Sequence, residues 1–107
     1  MSDNSPATPT VKHDVTVVFG AIELTGSLYH DDEQRHLELM TDEGPEPLSV
    51  SLEAYGFTPP PGHVFIKDWS EHAGLTANLE RAGFVKPVLK FALGPFNSPA
   101  FEVAVTL

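Results

Sequence analysis

Seven carboxylates crowd one short stretch of this chain. Asp31, Asp32, Glu33, Glu38, Asp42, Glu43 and Glu46 lie within sixteen residues that hold a single base, Arg35, on a protein of fifteen acids and formal net charge −9. Carboxylates spaced along a turn, a strand and the next turn can imitate the phosphate array of a nucleic acid. They would then draw in a Lys/Arg-rich groove and speed the encounter by long-range attraction. The plainer reading is that charged turns keep a small acidic protein in solution. Neither reading makes the acids catalytic.

The five histidines offer a second chemistry. His30 and His36 flank the acidic turn closely enough to share a metal with Asp31, Asp32 or Glu38, and zinc accepts such ligands. The spacing is not that of a His-Glu-x-x-His helix pair, and a structural site needs about four convergent ligands; no metal and no cofactor is expected. A metal-dependent module or small enzyme using His30 and His36 is the rival reading. Catalysis would otherwise draw on Ser49, Ser51, Ser70, His63, His72 and Asp68. None of these sits in a nucleophile elbow or another frame that would expose it, so the chain reads as a non-enzyme. Cysteine is absent, which removes disulfides and thiolate chemistry and suits a reducing compartment.

Among the aromatics, Trp69 precedes a helix signal and fits a staple that closes the core. Together with Tyr55 and Phe57 it could instead form an apolar anchor for a partner. Charge is also segregated along the chain: residues 1–80 hold three bases and fourteen acids, residues 81–107 three bases and one acid. Such a dipolar molecule can orient docking or self-associate, which leaves a homodimeric structural module as a third reading. An isoelectric point near 4.7 disfavours direct contact with nucleic acid or anionic membrane, and favours a basic protein surface as the partner. No apolar run approaches the roughly 20 residues that span a bilayer, and no basic-then-apolar leader is seen. The expected location is the cytoplasm.

The elements that must position these groups follow from periodicity. Met1–Thr10 is polar with two prolines and reads as a disordered tail; residues 11–107 read as a single domain. Val15, Val17 and Phe19 alternate with polar neighbours. Ile22, Leu24 and Leu28 do the same, so a hairpin breaks at Gly20, with Gly26 as a bulge or close-approach point. Leu37 and Leu39 mark a third strand and Leu48, Val50 and Leu52 a fourth, separated by a turn at Asp42–Pro47. Tyr55–Gly62, with three consecutive prolines, reads as a connector. Val64–Ile66 is a short strand. Asp68 with Glu71 fits a capping box, and Leu75, Leu79 and Ala82 have helical spacing before a C′ glycine at Gly83, so a helix is expected over Ser70–Ala82. Pro87 cuts the segment 85–93, which reads as another strand or as two half-strands, and a last strand runs over 101–107. The sum is an α+β domain: one antiparallel sheet of five to seven strands with one short helix on its apolar face.

The order of these elements over residues 24–90 resembles something known. It comprises the acidic turn Asp42-Glu-Gly-Pro-Glu-Pro-Leu, the Pro-Pro-Gly connector, Val64-Phe-Ile-Lys-Asp-Trp-Ser-Glu, Gly74-Leu, and Leu79-Glu-Arg-Ala-Gly-Phe-Val. Together these resemble small uncharacterised proteins carried by bacterial phages, plasmids and integrative elements. The matching motifs are caps and turns, and no catalytic residue comes with them. The Pro-rich N-terminus and the longer apolar C-terminus depart from the pattern. The resemblance implies a mobile-element accessory protein, a context that includes anti-restriction and anti-CRISPR inhibitors. The implied partner is a basic nucleic-acid-binding host protein, such as a restriction or CRISPR effector subunit.

Overall fold

Alternation of apolar and polar residues governs the first half of the chain. In the computed structural model, which describes residues 9–107 apart from the side chain of Glu71, β1 (Thr10–Phe19), β2 (Ile22–Asp31), β3 (His36–Thr41) and β4 (Gly44–Pro47) form an antiparallel meander, sheet A. β1 and β2 pair about the turn at Gly20, from Phe19 opposite Ile22 to Thr10 opposite His30, with a bulge between Lys12 and Val15. Val15, Val17, Phe19, Leu28, Leu37 and Leu39 therefore share one buried face. Gly26 is the close-approach point. A Cβ there would lie 1.9 Å from the Met40 carbonyl oxygen of β3, so only glycine lets the two strands pair.

The chain then crosses to a second layer. Leu48 donates its N–H to the Leu37 carbonyl, and β5 (Ser49–Val50) opens sheet B, ordered β5-β6-β8-β7 with β6 His63–Lys67, β7 Val85–Leu93 and β8 Ser98–Val105. Val64, Ile66, Val85 and Val103 meet the apolar face of sheet A in one core. The helix α1 (Leu75–Arg81) adds Leu75 and Leu79 to that core and packs along β1, β6 and β7. The C-terminal strand β8 is central.

Several expectations need correction. The strands form two four-stranded sheets rather than one sheet of five to seven. A seven-residue helix is only about 10 Å long. It cannot cover a sheet five to seven strands wide, roughly 20–30 Å at 4.8 Å per strand. The second sheet covers the first instead. Gly44–Pro47 is an edge strand rather than part of a turn, since an edge tolerates prolines that donate nothing outward. Of the two readings of 85–93, one strand rather than two half-strands is found: β7 continues past Pro87 through a bulge before Leu89. The expected tail lies outside the described residues for positions 1–8, and Thr10 already belongs to β1.

The helix is also shorter than Ser70–Ala82. Ser70–His72 forms a separate 3₁₀ turn, and α1 starts after Gly74. The Asp68 carboxylate accepts the N–H groups of Gly74 and Thr76, both at 2.9 Å, so it caps the helix from a distance; the Glu71 side chain of the expected capping box lies outside the described residues. At the other end Gly83 (φ 84°) is the C′ residue as expected. Its N–H reaches the Glu80 carbonyl and that of Phe84 reaches Leu79, the two bonds of a Schellman ending.

Candidate acidic interface

Sheet A has an exposed outer face because its strands alternate. Val11, Tyr29 and Glu38 lie side by side on β1, β2 and β3, and Ser27 lies beside Met40, while Asp31 faces His36. Residues 10–47, the span of sheet A, hold nine acids and two bases; residues 48–107 hold five acids and four bases. The negative charge of the protein therefore belongs to one layer of the sandwich. Among the described residues, Arg35 with Asp32 is the one ion pair that involves a lysine or arginine.

The seven acids fall into different settings. Asp31 and Glu38 stand on the outer face beside Tyr29. Glu33 is exposed in the β2–β3 turn, and Asp42 and Glu43 are exposed in the β3–β4 turn at the other end of β3. The five steps of β3 separate these turns by about 17 Å. Glu46, opposite Leu39, has the parity of the inner face and does not join the strip. Asp32 is structural: its Oδ1 accepts the Gly62 N–H at 2.6 Å and lies 3.6 Å from Arg35 Nη1. Arg35 in turn donates to the carbonyls of Asp32 and Pro59, so the turn is fastened to the proline connector of the other layer.

The histidines part company. His36 is on the outer face and His30 on the inner, because adjacent register positions place them opposite Asp31 and Leu37 respectively. They cannot serve as a shared ligand pair, and among the described residues no three His, Asp or Glu side chains converge at metal-binding spacing. His30 is buried with Nε2 unpartnered, 3.9 Å from Asp32 Oδ1. Burial lowers its pKa below the usual histidine value, and the nearby Asp32 and Asp31 only partly oppose that effect.

A cleft of about 420 Å³ lies between the β2–β3 turn and the segment after β5, and Arg35, His36, Ser49 and Phe57 line it. His36 donates from Nε2 to Glu38 at 2.6 Å, leaving Nδ1 to face the Ser49 hydroxyl at 3.4 Å. That connectivity is that of a serine–histidine–acid relay. The serine, however, is 8% exposed and its oxygen already accepts the Leu37 N–H at 2.8 Å. It stands in for a ladder carbonyl where β4 ends and the chain changes sheets.

The apolar anchors lie elsewhere. Trp69 is no helix staple. It packs half-buried on the outer side of sheet B with Leu52, Phe65, Leu93 and Ala100, and Lys67 Nζ sits 5.2 Å from its ring centroid. Phe57 joins this cluster through Phe91, 4.8 Å between centroids, and through Phe65. Tyr55 is exposed on the short 3₁₀ turn Glu53–Tyr55. The acidic strip has its own apolar residues, Tyr29 and Met40, 36% and 40% exposed. Sequence reasoning passed over them, although their parity, opposite to Leu28 and Leu39, marks them as outward-facing. Comparison with protein-family models, curated proteins and solved structures gives no match.

Proposed function

We propose that this chain is a non-catalytic binding protein that lays sheet A on a basic, nucleic-acid-handling host protein and masks its groove. The supporting observation is the segregation of charge by layer, nine acids against two bases over residues 10–47, with Asp31 at the end of β2 and Glu33, Glu38, Asp42 and Glu43 strung along β3 and its two turns. The strip's span of about 17 Å equals some five base pairs of duplex, over which a DNA strand presents phosphates at about 3.4 Å of axis each. Tyr29, amid the carboxylates, supplies an amphipathic anchor of the kind enriched in interface hot spots. The resemblance over residues 24–90 adds the context of a mobile element acting in the host cytoplasm, with a restriction or CRISPR effector subunit as the partner class. Among the described residues no helix is long and apolar enough to cross a membrane.

The test is capture from host lysate on the immobilised chain, with and without excess duplex DNA, alongside a Glu33→Lys/Asp42→Lys/Glu43→Lys variant. The proposal requires a captured protein with a basic groove that duplex DNA displaces and the variant fails to hold. Capture indifferent to both DNA and charge reversal would defeat it.

A further inference from the structure

The opposite layer ends in an edge of different character. β7 is the last strand of sheet B, and among the described residues its outer edge from Lys86 to Leu93 makes no backbone hydrogen bond to another segment. From Arg81 to Phe101 the chain holds Arg81, Lys86 and Lys90 and no carboxylate, which makes this the basic margin of an acidic protein. Pro87 and the bulge before Leu89 disrupt the upper part of the edge. The regular free run is Leu89–Leu93, about 14 Å of strand.

The two sides of that run differ. Leu89 and Phe91 lie opposite Glu102 and Ala100, on the outer face that also carries Phe65. Leu89 is 52% exposed, and Phe91 is held by Phe57 and Phe65 in an aromatic platform. Lys90 points to the other side, its Nζ 5.8 Å from the Phe101 ring centroid, and borders a hollow of about 360 Å³ with Ala92, Asn97 and Pro99.

Lysines, a proline and a bulge are what sheet edges use against indiscriminate pairing. Here they also select. A second copy of β7 would bring a lysine-bearing strand without carboxylates against its own kind, whereas an acidic strand gains the backbone bonds and the charge pairing with Lys90 together. We infer that β7 is a docking edge for an extended segment of a partner protein whose residues alternate between acidic and apolar. Its backbone pairs with Leu89–Leu93, its apolar side chains lie beside Leu89 and Phe91, and its carboxylates lie beside Lys90 on the other face. This is strand addition, with main-chain bonds giving affinity and alternate side chains giving specificity. It uses the face away from the acidic strip and stands independently of it.

The probe is a seven-residue capped peptide alternating Glu and Val, with a Lys–Val peptide as its counterpart; the readout is amide exchange of the full chain by NMR. The Glu–Val peptide should bind at least tenfold more tightly than Lys–Val and slow exchange within Leu89–Leu93. The Lys90→Glu variant, altered only at an exposed position, should reverse that preference while keeping the wild-type melting temperature. No slowing within Leu89–Leu93 with either peptide would overturn the inference. So would slowing confined to sheet A, or protection that rises with protein concentration alone, which would identify a second copy as the occupant.

Discussion

Replacing Asp32 by alanine removes two interactions that no other acid of the strip makes. The Gly62 N–H loses a carboxylate acceptor at 2.6 Å, a charge-assisted bond in a class worth about 1.5–3 kcal/mol. The Asp32 side chain is 40% exposed, so solvent screening puts the loss toward the lower end of that range. The 3.6 Å pair with Arg35 adds at most about 1 kcal/mol, as exposed pairs do. The sum is about 2 kcal/mol, and at about 4–8 °C per kcal/mol for a domain of this size the melting temperature should drop by roughly 10 °C. Glu33→Ala, one residue away and exposed, should stay within about 0.5 kcal/mol of wild type. Thermal and urea denaturation of both variants decides the matter. An Asp32→Ala protein as stable as Glu33→Ala would refute the reading of Asp32 as the fastening between the layers.

Gly26→Ala should cost about 3 kcal/mol or more, because its Cβ would meet the Met40 carbonyl at 1.9 Å and overpacking against backbone has no rotamer to relax it; urea denaturation and amide exchange across β2 and β3 measure it. Trp69→Ala should cost about 2 kcal/mol, less than the roughly 3–5 of a fully buried tryptophan, and should leave binding through sheet A unchanged. His30 imposes a pH dependence: with its folded pKa lowered by burial, the unfolded chain binds its proton more readily. Stability is therefore fully present above about pH 6.5 and is lost as pH falls below that toward the depressed folded value. A His30→Phe variant should lose this share of the acid slope, read from urea midpoints between pH 7.5 and 5.

Periodicity in the sequence located nearly every strand, because a half-buried strand must alternate and these do. Gly26 and Gly83 were legible for local reasons: each lies in a backbone setting that a side chain would disturb. The division into two sheets was not legible. Leu48 and Val50 keep the period-2 pattern while the chain crosses from one layer to the other, and nothing local marks the crossing. The helix start was misplaced because its cap, Asp68, bonds to N–H groups six and eight residues on. The charge of the acidic stretch was plain, but its roles were not. Asp32 is set apart by a contact with Gly62, thirty residues away, and Glu46 by strand register. Tyr29 has the outward parity of β2, opposite to the buried Leu28, and only the pairing with Glu38 places it among the acids.

The electrostatic account rests most directly on the rate at which the chain meets its captured partner as ionic strength is varied. Between about 50 and 500 mM salt the Debye length shrinks from roughly 14 to 4 Å, so attraction by the sheet A carboxylates should fade. The association rate should fall by more than tenfold while the dissociation rate changes far less, and the Glu33→Lys/Asp42→Lys/Glu43→Lys variant should be slow already at low salt. An association rate that is flat across this range, and equal for wild type and variant, would contradict the claim that the acidic layer is the interface.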